Sequence, residues 1–408
     1  MSAGERDRAV DAGTRRAAGV VSAGERDPAV DAGTRRAAGV VSADERDRSV
    51  DAARAVAIVG VVAGHWLVTG LALGQDGALR QASPLAAMPT LAPVTWLLQA
   101  LGLFFFAGGY AAARSGRHPM PSGRLLRPVA ALLGAWSLAL AVSAAVGVPT
   151  GTLLTIATLV ASPLWFLVPY LALSAVTRPL VRLVDRAGPA VVAVPAIAAV
   201  AACDMGLVPG WVAVPAVWSV PWVLGVTLAR GRLGGARAGL GLAAAGMLGM
   251  AFLLGVAGYP ASAVGVPGDA RSNLDPPSLV ALALAAAQIG VLLLVRARLS
   301  RAPGRDPGGG RGRTGLWPAV AALNRAALPI YLKHQSVLIL VAAAAALIGP
   351  APGLLTAPDG PVWVAQRLAW LPVFAVVLAA VVGFRPARKA SGGSGHGGGR
   401  HADRARAH

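Results

Sequence analysis

Two ionisable side chains, Arg54 and His65, stand in one apolar run, RAVAIVGVVAGH. In a helix, eleven steps of about 100° bring the second to within about 20° of the first, so both face one groove about 16 Å apart along the axis. Imidazole takes up and returns a proton near neutral pH. His65 can therefore serve as general base toward a hydroxyl, or hold a transferred group covalently; the residues leave both open. A planar guanidinium at the mouth of the groove suits phosphate or carboxylate. The competing reading makes Arg54 a snorkelling anchor and His65 a packing hydrogen-bond donor. Their shared face favours the groove.

Other candidates lie in later apolar runs: Lys333 beside His334, and Arg367. Ionisable groups in such runs are costly and default to function. Trp165, Phe166, Tyr170 and Tyr331 are candidates to line a cavity, although aromatics at such positions more often pack or anchor. The acids Asp51, Asp185 and Asp204 fall near helix ends, which gives a relay built on buried carboxylates little support. A single cysteine, Cys203, allows no internal disulfide and no multi-cysteine metal site, and no metal or cofactor is expected.

The elements that position these residues are membrane spans. Of 408 residues, 55% are hydrophobic and 13% charged, with mean hydropathy +0.62. The apolar residues come in blocks long enough to cross a hydrocarbon core. The fold class expected is all-α, a polytopic integral membrane protein of about ten transmembrane helices. They are placed at Arg54–Leu73, Pro93–Ala113, Pro128–Gly147, Ser162–Leu183, Ala190–Gly206, Trp211–Ala229, Arg237–Ala257, Ser278–Arg296, Leu328–Ile348 and Val362–Phe384.

Basic residues set the orientation. Arg114 to Arg127, Arg178 to Arg186, Arg230 to Arg237 and Arg296 to Arg325 all fall in alternate connections, while the others hold Arg80 and Arg271. The positive-inside rule then puts both termini in the cytoplasm, with the chain in the cell membrane. The net charge of +19 is spread over these short connections and the two tails, without aromatic interleaving, and nucleic acid is not an expected partner. Residues 1–20 recur at 21–40 with two changes, Met1 to Val21 and Arg8 to Pro28. These repeats are too polar to bury a face, so residues 1–50 are expected to be disordered and to precede an uncleaved first span. The stretch from Ser300 to Gly315 reads as a linker and 385–408 as a disordered cytoplasmic tail.

The motifs resemble the acyltransferase 3 family of membrane-bound O-acyltransferases, whose first span carries an arginine, ten residues and a histidine. Asp51, Arg54 and His65 fall on that pattern in VDAARAVAIVGVVAGHW. Further matches follow in order: LFFFAGGYAAA at 103–113, RLLRP at 124–128, PLWFLVPYLAL at 163–173, NLDPPSLVALALAAAQIG at 273–290 and LNRAALPIYLKHQSV at 323–337. Relatives often have an aromatic residue before the second histidine, where this chain has Lys333. Some carry an extracytoplasmic hydrolase-like domain; none is expected here, so any later step on the outer side is expected to need a separate protein.

The resemblance implies a ten-helix transmembrane acyltransferase domain over 51–384. It implies a cytoplasmic acyl-CoA-type donor and an acceptor hydroxyl on a glycan, lipid or small metabolite. His65 is then the expected catalytic residue. Arg54, Arg124, Arg127, Lys333, His334, Trp165 and Tyr331 are the expected substrate-binding residues, the arginines contacting the donor phosphates. A multi-pass solute exporter is the alternative, set back by the absence of a recognisable repeat among the spans.

Overall fold

The computed structural model describes residues 47–115, 122–266, 268–269, 271–301, 316–349 and 351–383. The expected disorder of the repeats before residue 47 and of the tail from 385, and the linker at 302–315, lie outside the described residues.

The first helix, α1 (Arg48–Val68), starts earlier than the expected Arg54. Residues 48–50, assigned by sequence to the disordered segment, are helical. Asp47 is the reason: its carboxylate accepts from the Ser49 amide as an N-cap and pairs with Arg296 at 2.7 Å. Burial alone would raise the Asp47 pKa, but the Ser49 hydroxyl and the Arg296 guanidinium outweigh it and hold the carboxyl below its ordinary value.

At its other end α1 stops at Val68 rather than Leu73, because the chain turns into a hairpin of β1 (Gly70–Leu73) and β2 (Leu79–Ala82). His65 therefore lies in the last turn of its helix, not at the middle of a span.

Two short helices, α2 (Pro84–Ala87) and α3 (Val94–Leu98), lead into α4 (Leu101–Ser115) and then α5 (Ser122–Ala145). The next crossing is α6 (Thr150–Ala161) and α7 (Leu167–Ala175), joined by a 3₁₀ turn at Ser162–Phe166. The sequence reading began this span at Ser162 and ended it at Leu183. Instead the apolar run Thr150–Ala175 crosses as a broken helix. Pro163 and Pro169 lack the amide hydrogens a regular helix would need there, and the break falls within the run.

Residues to Leu183 belong to a separate amphipathic helix, α8 (Thr177–Ala187), set at 110° to α9 (Ala190–Asp204). There follow α10 (Ala213–Ala229), α11 (Gly235–Gly255), α12 (Leu279–Arg301), α13 (Leu316–Arg325), α14 (Ala327–Ile348) and α15 (Pro361–Val382). Among the described residues nine helical segments are long and apolar enough to span a membrane, or ten if α8 and α9 count as one bent span. The chain is an all-α polytopic membrane protein.

Side-chain bonds sort the helix ends. At one end Arg296 meets Asp47, Arg230 pairs with Asp185 at 2.9 Å, and Arg232 donates to the carbonyls of Val184 and Asp185. At the other, the Asp204 carboxylate accepts from the Tyr259 hydroxyl at 2.8 Å and from the Leu279 amide at 2.9 Å. Burial, reinforced by that bond to Asp204, pushes the Tyr259 phenol up to about 12. The arginine-bearing connections thus gather at a single end of the bundle.

Candidate active site

His65, in the last turn of α1, faces His334 in the second turn of α14, with ring centroids 5.0 Å apart and planes tilted by 50°. The Gln335 side-chain nitrogen is 3.2 Å from His65 Nδ1. His334 Nδ1 lies 2.6 Å from the Tyr331 carbonyl oxygen. A carbonyl can only accept, so Nδ1 of neutral His334 carries the hydrogen and Nε2 keeps its lone pair. That Nε2 is buried, with no hydrogen-bond partner among the described residues. The Trp66 indole donates to the His334 carbonyl at 3.0 Å, fastening the two histidine-bearing helices together.

A cavity of about 190 Å³ opens beside His65. Gly64 and His65 line it from α1, Thr69 from just after α1, Gln81 from β2, Thr95 from α3, and Gln99 from the segment before α4. The Thr95 hydroxyl is committed to the fold, donating to the Ala92 carbonyl and accepting from the Ala263 amide at 2.9 Å. Among the described residues no Asp, Glu, Lys or Arg lines the cavity. Its walls come from the hairpin, α3 and the loop at Val264 and Gly265, so it belongs to the end opposite the arginine clusters.

Arg54 is half-buried on the same uninterrupted helix as His65, near the arginine-rich end. Close by, the Asn324 amide donates to the Asp51 carbonyl at 2.9 Å, tying α13 to the start of α1. Tyr331 comes to His334, ring centroids 5.6 Å apart, and packs edge-on against Phe166 at 4.2 Å.

The other expectations fare differently. Lys333 turns away from the histidines and donates to the Val381 carbonyl at the end of α15, at 2.9 Å. Arg127 is exposed on α5, and the Arg124 side chain lies outside the described residues. Trp165, Phe166, Tyr170 and Tyr331 do not line the cavity beside His65. The 3₁₀ break directs the first three into an aromatic cluster with Phe104, Phe105, Trp218 and Trp222, where Trp165 meets Trp218 at 6.2 Å.

Two residues here, Gln335 and Trp66, have no role in the sequence analysis, and a third, Arg367, is a candidate there without an assigned partner. Gln335 and Trp66 each directly follow a histidine and connect α1 with α14. Arg367, on α15, is fully buried and bonded to the end of α1. The only sequence signal for them was polarity inside apolar runs. Among the described residues no three His, Cys, Asp or Glu side chains come together as a metal ion would require.

A family model described as an acyltransferase domain matches residues 47–385. No curated protein and no solved structure matches the chain. The matched span contains Arg54, His65, His334, Gln335 and Arg367.

Proposed function

Because this membrane protein belongs to the acyltransferase 3 family, we propose that it moves an acyl group from an acyl-CoA-type thioester to a hydroxyl of a glycan, lipid or small metabolite. The arginine-rich end faces the cytoplasm in this reading, following the positive-inside rule. The donor's phosphates meet Arg54 and its neighbours there, and the acceptor enters the cavity at the opposite end. An uncharged lining suits that division, since a phosphate taken out of water needs paired cations.

The chemical step assigns His65 the proton. The acceptor O–H gives its hydrogen to a ring nitrogen as the oxygen attacks the thioester carbonyl. The C–S bond then breaks, and the thiolate leaves with the proton the imidazolium returns. Nε2 of His65 is free to accept when Nδ1 carries the hydrogen. The Gln335 amide nitrogen faces Nδ1 at 3.2 Å; the amide turned over, an orientation of the same shape, would place its oxygen there and hold that tautomer. His334, its own tautomer held by Tyr331, keeps a second lone pair beside the site.

The observation that carries the reading is His65 standing on the cavity wall with its ring centroid 5.0 Å from that of the buried His334. The test is transfer of labelled acyl groups from acyl-CoA in membranes carrying His65→Gln, which keeps size and hydrogen bonding but accepts no proton at neutral pH. Turnover is expected to fall on the order of 10² to 10⁴, the range of proton-transfer assistance, with normal membrane levels. A variant retaining more than about a tenth of native turnover would return His65 to a packing role.

A further inference from the structure

We infer that Arg367 is a positioning residue for the acyl transfer, acting through the last turn of α1 to hold His65 in place. The inference rests on the proposed role of His65. Arg367 is fully buried, and among the described residues no ion pair engages it. Its donors go to backbone. Nε donates to the Trp66 carbonyl at 2.7 Å, one terminal nitrogen to the Thr69 carbonyl, and the other to the Gly353 carbonyl at 3.2 Å. The guanidinium lies over the rings of Trp363, at 5.1 Å, and Phe374, at 5.5 Å.

Two of those carbonyls belong to the C-terminal end of α1. A helix leaves its final carbonyls without intrahelical partners and concentrates partial negative charge there. The last backbone bond of α1 runs from the Thr69 amide to the His65 carbonyl, after which Gly70 enters the hairpin. Arg367 supplies the missing donor to Trp66 and takes hold of Thr69. It thereby brackets the residue after His65 and the residue whose amide closes the His65 turn.

Trp66 is held on two sides, its carbonyl by Arg367 of α15 and its indole by His334 of α14. The distance between the two histidines is therefore set by a junction of three helices, with Arg367 supplying one arm. The loop before α15 is shaped to this junction: Gly353, at φ +74, sits where a Cβ would come within 2.8 Å of the Arg367 amide nitrogen. Only a planar fork reaches three carbonyls in different directions; a lysine ammonium is a single point.

The experiment is a double-mutant cycle pairing Arg367→Lys with Gln335→Ala, assayed by acyl transfer and normalised to folded protein. Shifts of about 1 Å in a reacting group cost on the order of 10² in rate, so Arg367→Lys is expected to lower turnover about tenfold or more, with both KM values within about twofold. Because Gln335 also holds His65, the two losses should overlap and the double variant should be less impaired than their product. A purely structural role would give independent, multiplying losses and would overturn the inference, as would turnover within about twofold of native. If Arg367→Lys does not assemble, Trp363→Phe takes its place in the cycle. It keeps the guanidinium while altering the ring beneath it, and must show the same overlap. Should His65→Gln prove fully active, the parent reading and this inference fail together; if His65→Gln is inactive and Arg367→Lys is not, this inference alone fails.

Discussion

Where α4 crosses α10 the helices meet by shape. Gly109 lies against the Trp222 carbonyl and Gly225 against the Phe106 carbonyl, so close that a Cβ on either would collide with backbone, and Phe105 stacks on Trp218 at 4.9 Å. Where α1 meets α14 and α15 the contacts are directional: Trp66 to His334, Gln335 to His65, and Arg367 to Trp66 and Thr69. In a bilayer the hydrophobic effect does not drive helices together, and close packing of small residues is an economical way to join them. Buried polar ties are directional and fix one arrangement of their partners. Their concentration around His65 marks the region where one geometry has to be specified rather than merely a stable bundle formed.

That contrast breaks most visibly at Gly225. Gly225→Leu forces a side chain into the Phe106 backbone, which no rotamer relieves. Overpacking of this kind costs about 1–3 kcal/mol or more, and backbone against backbone belongs at the upper end. Monodisperse protein recovered in detergent is expected to fall severalfold, with activity per folded molecule preserved in what remains. Normal recovery would mean that α4 and α10 can part without penalty.

His334→Gln probes the other region and should behave oppositely. Glutamine fits the space and can still donate, so assembly is expected to be normal, while loss of the Nε2 lone pair beside His65 lowers turnover roughly 10- to 100-fold. Full turnover alongside an inactive His65→Gln would leave His334 as packing only. An inactive His334→Gln with an active His65→Gln would move the proton-accepting role to α14.

The two regions also differ in what their sequence disclosed. The Arg54 to His65 spacing was legible because helical period is a local property, and α1 runs unbroken through both. That His65 would meet a particular histidine some 270 positions later is not in any local pattern: the sequence marks His334 as a candidate without pairing the two. Arg367 stood out as a charge in an apolar run, but its partners are carbonyls, which every residue has and no sequence marks. The cavity walls were illegible for a related reason, since Gln81, Thr95 and Gln99 come from separate segments that only the tertiary fold brings together. The misplaced fourth span and the aromatics assigned to the cavity share one cause: composition marks an apolar run of 26 residues at Thr150–Ala175 but not the 3₁₀ turn that redirects Trp165 and Phe166 within it.

The smallest expected effect lies where α1 begins, at Asp47, which ties that helix to α12 far from the histidines. Its carboxylate caps the helix and pairs with Arg296, the Asp47 side chain being 7% exposed and the arginine 32%. Asp47→Asn keeps a capping oxygen but loses the charge, so a cost of about 1 kcal/mol is expected, with turnover per folded molecule unchanged. The pH dependence follows from the lowered pKa. A carboxyl whose pKa is lower folded than unfolded binds fewer protons in the folded state. Its contribution is full above the ordinary value of about 3.9 and drains away as pH falls through the folded value. The unfolding temperature of the native protein should therefore exceed that of Asp47→Asn at neutral pH, and the gap should close only below about pH 4. Equal unfolding temperatures at neutral pH would mean that Asp47 stabilises α1 by capping geometry alone, leaving the charge pair with Arg296 without effect. A loss of turnover at neutral pH would show that the cap region reaches the histidine pair after all, and the division between a shape-held scaffold and a polar catalytic junction would have to be redrawn to include the whole of α1.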